Sequence, residues 1–448
     1  MTARANPRRV AFDVLREVTG NDAYANLALA KRLVTADLDR RDAGFVTELV
    51  SGTCRLMGTY DLIIAAASGR KLGSLQPAVV DLLRLGCHQL LGMGMAPHAA
   101  VGATVELARA TVGQRVTGLV NAVLRKISKQ DLDGWTAQLA AKKDRIGALA
   151  ITHHHPRWIV DAYAQLLPTD ELSDALAANN VAPEPTLVVR PGLAERFELL
   201  PVGAKPTPYS PFGATGVVPA DVPAVQERRA GVQDEGSQLV ALALTRAEAP
   251  DGPWLDLCSG PGGKAALLAG LAKKAGTWLL ASEAQEHRAR LVAQALSAYP
   301  NGTAPVVVAD GTAPAWQLGS FSRVIADVPC SGLGALRRRP ESRWRRSPAD
   351  VAQLGAVQRD LLRTALDSAK PGGVVAYVTC SPHRDETVAV VDEVLAERPQ
   401  VARLHAADYL PEVPDCALGD DVQLWPHRHG TDAMYLALLR VPEEPEVA

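Results

Sequence analysis

Three short segments place small or reactive residues directly after apolar runs. They are L-D-L-C-S-G-P-G-G-K from Leu255 to Lys264, D-V-P-C-S-G from Asp327 to Gly332, and Y-V-T-C-S-P from Tyr377 to Pro382. Each apolar run reads as a buried strand, and in an open parallel sheet the ligand crevice lies outside the carboxyl ends of the strands. Ser259, Gly260, Pro261, Gly262 and Gly263 read as a tight strand-to-helix turn whose backbone approaches a ligand closely and aims amide N–H groups at it. The pyrophosphate fingerprint G-x-G-x-x-G is absent. Glu283 ends the second strand about 27 positions after Asp256, where a carboxylate accepts both ribose hydroxyls, and Asp310 ends the third, within reach of an adenine amine. One acid at a strand end is more often a turn or cap residue. The ordered set fits a cofactor carrying adenosine without a diphosphate, and S-adenosylmethionine is such a cofactor.

Cys330 and Cys380 each follow a strand directly. A lone cysteine is usually a small buried hydrophobe, but two strands adjacent in this topology bring both thiols to one crevice. The N-terminus of the helix after Cys380 is expected to favour its thiolate. A redox pair is the competing reading, weakened by the lack of C-x-x-C and by the neighbouring cofactor turn. Nucleophilic catalysis is expected. Arg337 to Arg346, R-R-R-P-E-S-R-W-R-R, holds six arginines and Trp344. Placed after the Cys330 loop, it reads as a nucleic-acid contact with base stacking, a solvated charge run being the plainer alternative.

The elements that position these residues follow from periodicity. Apolar spacing of three and four makes residues 7–129 nearly all helix, ending in V-T-G-L-V-N-A-V-L-R-K-I from Val116. Residues 136–230 weaken into a proline-rich stretch, read as a small linking domain. Beyond Gly231, strands at Trp254–Leu257, Thr277–Ser282, Pro305–Ala309, Arg323–Ala326 and Gly373–Val378 alternate with helices such as Lys264–Lys274, Glu286–Ala298, Val351–Ala369 and Glu386–Glu397. Ala433–Arg440 adds a final antiparallel strand. The alternation implies a doubly wound, parallel α/β sheet. Three domains are expected: an all-α one over 1–135, the linker over 136–230 and a Rossmann-like one over 231–448.

Composition narrows the function classes. With 448 residues, 47% hydrophobic and a net charge of −2, the chain reads as soluble and multidomain. No apolar run of about eighteen residues suggests a membrane span, and the arginine-bearing start lacks the apolar stretch of a signal peptide. Six scattered cysteines make no disulfide framework, which points to a cytoplasmic protein. The charge is uneven, about +7 over residues 1–130 and about −9 over the rest, which hints at a polyanionic partner. Cys54 and Cys87 read as core, Cys258 as packed within the turn, and Cys416 has no assignable role. The histidine runs at His153–His155 and His427–His429 have no second ligand cluster, so no metal is expected.

On these motifs the chain resembles the Sun/RsmB-type ribosomal RNA cytosine-5 methyltransferases over nearly its whole length. The likeness rests on G-V-Q-D-E-G-S-Q at Gly231 to Gln238, D-L-C-S-G-P-G-G-K, D-V-P-C-S-G, V-T-C-S and L-W-P-H-R-H-G-T-D at Leu424 to Asp432. The first 130 residues resemble the NusB fold, ending in V-N-A-V-L-R. The resemblance implies that Cys258, Ser259, Gly260, Pro261, Gly262, Gly263, Lys264, Glu283, Asp310 and Asp327 line the S-adenosylmethionine site. It implies that Cys380 is the nucleophile and that Cys330 helps release the product. Asp327 is then expected to act on the target ring as a general acid, and small-subunit rRNA to be the partner of a monomeric enzyme. Glu283 stands where the family commonly has aspartate, and Ala433 where it usually has glycine. Uridine carbon 5 methylation and a non-catalytic RNA-binding role in transcription or ribosome assembly are the alternatives.

Overall fold

The three-and-four spacing of the N-terminal third forms helices at Pro7–Gly20, Ala25–Thr35, Arg40–Ser68, Pro77–Cys87, Pro97–Thr111 and Thr117–Ile127 in the computed structural model of the protein, which describes residues 5–21 and 23–443. Asn6 starts the first by accepting from the amides of Arg8 and Arg9. The helices share one core, in which Leu15, Leu49, Ile63, Ile64, Leu82, Cys54 and Cys87 are wholly buried. Among the described residues no helix is long and apolar enough to cross a membrane.

The chain divides into two units: residues 1–181 with 336–346, and residues 182–335 with 347–448. The stretch 136–230 therefore does not form one linking body. Its helices Leu132–Ala140, Arg145–Thr152, Arg157–Ala164 and Leu172–Ala178 belong to the first unit. Its later part folds in the second unit as an antiparallel sheet of β1 (Leu187–Val189), β2 (Lys205–Pro206), β3 (Gly213–Thr215) and β4 (Ala230–Val232), in the order β2-β3-β1-β4. Leu187, Val189, Leu199, Ala214 and Val222 give that sheet a core of its own.

The Arg337–Arg346 segment corrects an expectation. It leaves the second unit and packs into the first, with Arg337, Glu341, Ser342 and Arg343 buried and Trp344, Arg345 and Arg346 half-buried. Arg343 is wholly buried, its guanidinium donating to the carbonyl oxygens of His154 and Asn179 and to Asn180 Oδ1. Trp344 donates from Nε1 to Cys54 O at 2.9 Å, and its ring lies where a Cβ on Gly58 would sit, 2.2 Å from that point. Arg345 donates to the carbonyls of Val18 and Ala23, and buried Glu341 accepts from Ala25 N. Arg338 and Arg339 stay exposed. Periodicity could not separate these cases, because a buried arginine needs several fixed acceptors and those come from sequence more than a hundred residues away. The His153–His155 run is likewise structural, with His153 bonded to Ser173, His154 to Thr59 and His155 to the His153 carbonyl.

The main sheet is built as the alternation implied. Its strands are β5 (Trp254–Asp256), β6 (Leu279–Glu283), β7 (Val306–Val308), β8 (Phe321–Asp327), β9 (Ala369–Thr379), β10 (Ala402–Leu404), β11 (Ala417–Leu418), β12 (Asp421–Gln423) and β13 (Tyr435–Arg440). The order is β11-β12-β13-β9-β8-β5-β6-β7, with β10 on β13. Strands β5 to β9 are parallel, and β13 pairs antiparallel with β9. Alternate residues feed two cores: Val374, Ala376 and Val378 join helices Glu235–Arg246 and Gly263–Lys274 on one face, while Val375 and Tyr377 join Pro348–Ser368 and Val388–Glu397 on the other. The short strands β10, β11 and β12 were not legible, being too brief for a period-2 pattern.

Replacing Trp344 by alanine tests the buried reading of the arginine-rich segment. Loss of the ring and its hydrogen bond should cost about 3–5 kcal/mol of the first unit's stability, measured by urea unfolding. A change within about 0.5 kcal/mol, as for a surface residue, would return the ring to solvent.

Candidate active site

Strand β5 lies between β6 and β8, the point where the strand order reverses, and a ligand crevice forms at that point. The turn after β5 runs from Leu257 to Gly262 into helix Gly263–Lys274. Ser259 is buried, its hydroxyl donating to Asp256 O and its amide to Ser282 O, which pins the turn to β6. Gly260 has no room for a side chain, since a Cβ there would lie 2.2 Å from Glu283 Oε2. Glu283 accepts from Gly260 N and Gln285 N, both at 3.0 Å, with Arg288 3.5 Å away. It braces the turn, a role not expected from its position at a strand end, and each oxygen keeps a further lone pair. Asp310, two residues beyond β7, is exposed and accepts from the amide and hydroxyl of Thr312, which holds its carboxyl below the usual range.

Lys264 links this turn to the reacting edge. Its ammonium donates to Asp327 Oδ2 at 2.9 Å and to Ser237 Oγ at 3.1 Å. Burial works against the Lys264 charge, but Asp327 outweighs it and holds the pKa up. In this pair Asp327 Oδ2 is a hydrogen-bond acceptor. Asp256 is buried beneath the turn, and burial followed by repulsion from Asp327 pushes it up to about 7. Burial also raises the Cys258 thiol, which packs against the core as expected. Cys416 is a core residue too.

Strand β8 pairs with β9 so that Asp327 lies opposite Val378. The two cysteines beyond these strands meet, with Sγ atoms 3.4 Å apart. Their neighbours bear on the proton between them. The Glu386 and Asp327 carboxylates disfavour charge on Cys330, whereas Lys264 attracts charge on Cys380. Asp327 opposes charge on Cys380 as well, and the contact admits a hydrogen bond from either thiol; the direction that lowers Cys380 has Cys330 donating. Its hydrogen bond, with Lys264, holds Cys380 below the ordinary thiol value against burial and Asp327. No helix end does this: Val388–Glu397 begins eight residues beyond Cys380, and Glu386 falls in a preceding short turn, Arg384–Glu386.

Two further motifs close the crevice. Asp234 Oδ1 accepts from Gly236 N and Asp432 N, joining G-V-Q-D-E-G-S-Q to the T-D motif. Gly334 N donates to Cys380 O, and Ala433 N to Gly334 O, so alanine is accommodated at 433. Gln233 was passed over in the sequence. Its side-chain amide is buried with neither heteroatom bonded, against Gly263 at the start of the helix. That unpaired amide offers a donor and an acceptor, the complement of an amino-acid zwitterion. With bare backbone at Gly260, Gly262 and Gly263 and the acids Glu283 and Asp310, the residues fit S-adenosylmethionine. His429 bonds Trp425 N and Pro414 O, and among the described residues no three His, Cys, Asp or Glu gather to hold a metal.

Comparison with known proteins places this arrangement. Residues 241–440 match the family described as 16S rRNA methyltransferase RsmB/F, and residues 5–129 match the NusB family. The chain is 46% identical to a Mycobacterium tuberculosis protein whose name refers to methyltransferases and gives no substrate, over 97% of this chain and 96% of that one. It is 31% identical to the ribosomal RNA small subunit methyltransferase B of Vibrio cholerae, over 97% of both chains. Its fold is similar to the crystal structure of PH0851, with a TM-score of 0.79 and 21% identity over 99% of this chain and all of that one. A methyltransferase homologue from Pyrococcus horikoshii overlaps 67% of this chain and 99% of its own, at a TM-score of 0.54 and 20% identity.

The thiol pair sets a pH expectation. Cys330→Ala removes the largest influence lowering Cys380, while burial and Asp327 still oppose its thiolate. The midpoint for iodoacetamide alkylation of Cys380, followed by peptide mass spectrometry, should move to higher pH. An unmoved midpoint would assign the thiolate to Lys264 alone.

Proposed function

The chain belongs to the RsmB/F family of 16S rRNA methyltransferases, and on that footing we propose that it methylates carbon 5 of a cytosine in small-subunit ribosomal RNA through a covalent bond between Cys380 and carbon 6 of the base. One observation carries the reading: the depressed Cys380 thiol and its partner Cys330 lie 3.4 Å apart at the sheet edge that also holds the cofactor turn. Carbon 5 of cytosine is a weak nucleophile until something adds at carbon 6. Cys380 thiolate adds there, pushing electron density onto carbon 5. That density makes ring nitrogen 3 basic; it takes a proton from water, and Asp327, bonded to Lys264, accepts the hydrogen bond from the new N–H. Bound S-adenosylmethionine supplies the electrophilic methyl group. Gln233 and the helix start take its amino-acid end, Glu283 the ribose and Asp310 the adenine. Water takes the carbon 5 proton, the carbon–sulfur bond breaks with its electron pair leaving on Cys380 as thiolate, the carbon 5–carbon 6 double bond re-forms, and ring nitrogen 3 returns its proton to water. A thiol of lower pKa leaves faster, and the Cys330 hydrogen bond lowers it. Cys330 therefore serves release.

The target base must be flipped or single-stranded to reach the sheet edge. The NusB-like unit, with its excess of basic side chains, is assigned the phosphate contacts that hold the RNA.

The two cysteines fail differently in this scheme. Cys380→Ala should abolish both 5-methylcytosine and any protein–RNA adduct. Cys330→Ala should accumulate a cofactor-dependent adduct that survives denaturing gels. An adduct trapped by Cys380→Ala and missing in Cys330→Ala would exchange the roles, and product nucleosides carrying 5-methyluridine would change the substrate.

Glu283→Ala removes the ribose acceptor and the brace on Gly260 together. Charge-assisted bonds contribute about 1.5–3 kcal/mol each, so S-adenosylmethionine affinity should fall at least about tenfold by calorimetry. Unchanged affinity would displace the ribose from β6.

A further inference from the structure

Glu386 is wholly buried, and apart from disfavouring charge on Cys330 it has no assigned part in the reaction described above. Its carboxylate accepts from Ser331 N at 2.7 Å and Gln358 Nε2 at 3.3 Å on one oxygen. On the other it accepts from the hydroxyls of Ser331 at 2.5 Å and Ser381 at 2.6 Å. Ser331 follows Cys330 and Ser381 follows Cys380 in the chain, and the two hydroxyls are 3.2 Å apart. Gln358 also donates to Pro329 O, on the other side of Cys330, and Tyr377 OH donates to the Glu386 carbonyl. One buried carboxylate thus grips the residue after each cysteine, while helix Pro348–Ser368 holds the residue before Cys330.

We propose that Glu386 is a positioning residue that clamps the P-C-S and T-C-S loops through Ser331 and Ser381 and so fixes the distance between the Cys330 and Cys380 sulfurs. The purpose of that fixed distance rests on the covalent reading above. Burying a carboxylate without a cation is costly unless its lone pairs are filled, and here four donors fill them. A valine or leucine would pack this interior without that cost. What an apolar side chain cannot do is bind two loops at once with the directionality of hydrogen bonds. The charge has a second effect, since it is among the groups that oppose ionisation of Cys330 and so keep that thiol a donor. Glu386 touches neither the cofactor turn nor the sulfurs themselves, so its loss should act on thiol geometry and spare cofactor binding.

The test uses the full-length protein and a readout independent of methylation. Diamide takes two electrons and two protons from a thiol pair to give a disulfide, and adjacent sulfurs should form it quickly. In Glu386→Ala the Cys330–Cys380 disulfide, followed by peptide mass spectrometry, should form at least about tenfold more slowly. Glu386→Gln keeps one acceptor oxygen and should be intermediate. It also serves if the alanine variant fails to fold. Both should bind S-adenosylmethionine within about twofold of the parent, while kcat falls up to about a hundredfold, the scale of an ångström-sized misplacement, with KM for RNA unchanged. Disulfide formation and kcat at parental rates in Glu386→Gln and Glu386→Ala would overturn the clamp. So would cofactor affinity and melting temperature falling in step with kcat, which would make Glu386 a general stability residue. A parent enzyme that forms the disulfide yet yields no 5-methylcytosine would sink the functional reading, leaving the thiol measurement to judge the clamp.

Discussion

Parallel pairing of β8 with β9 sets Asp327 opposite Val378, so the two chains leave the sheet at the same level and their next residues face one another. A slip of one residue in this pairing would turn every side chain to the opposite face. Val374, Ala376 and Val378 lie in one core and Val375 and Tyr377 in the other, so such a slip would empty both cores at once. Burial of the sheet on both faces thereby fixes the level at which two thiols emerge. No local feature of either cysteine loop could do so alone.

A short polar chain then connects that level to the cofactor turn. Lys264 lies on the helix after β5, and its ammonium reaches Asp327 at the end of β8. The same ammonium lies close enough to Cys380 to favour its thiolate, so one cation serves both edges of the crevice. The acids below it are less accommodated. Asp256 is pushed up to about 7, because burial and Asp327 both resist a second negative charge there. Proximity thus sorts the charge in this crevice: pairing with Asp327 holds the Lys264 charge up, while the acid beneath the turn resists ionisation.

Much of this was legible from the chain alone, and the reason is geometric. Strands β5, β6, β8 and β9 are buried on both faces and, with the half-exposed edge strand β7, read as apolar runs, and the residues at the carboxyl end of each run must lie on the sheet edge. The positions of the glycine turn, Glu283, Asp310 and both cysteines beyond the strand ends are legible in that way. The residues that escaped are those defined by partners distant in sequence. Gln233 looks like any glutamine until its amide is seen buried beside Gly263. Glu386 looked like the first residue of a helix, where an acid is ordinary, and its bonds to Ser331 and Ser381 are a tertiary fact. The arginine-rich segment failed for the same reason in reverse: a charged composition suggested an exposed nucleic-acid contact, while the carbonyls that bury Arg343 belong to residues 154 and 179.

That segment gives the chain an unusual kind of modularity. Domains are commonly joined at one exposed linker, and a gene can then lose or acquire one by a single break. Here the first unit is assembled from residues 1–181 and from a loop donated between β8 and the helix Pro348–Ser368. A break near residue 181 would leave an N-terminal fragment with an empty socket beside Gly58, and a C-terminal fragment carrying an unburied Trp344 and an unsatisfied Arg343. Loss of the helical unit in descent would have to be accompanied by shortening or rewriting of that loop. A relative built without the helical unit is therefore expected to carry a different loop between the P-C-S motif and the position of Ser347.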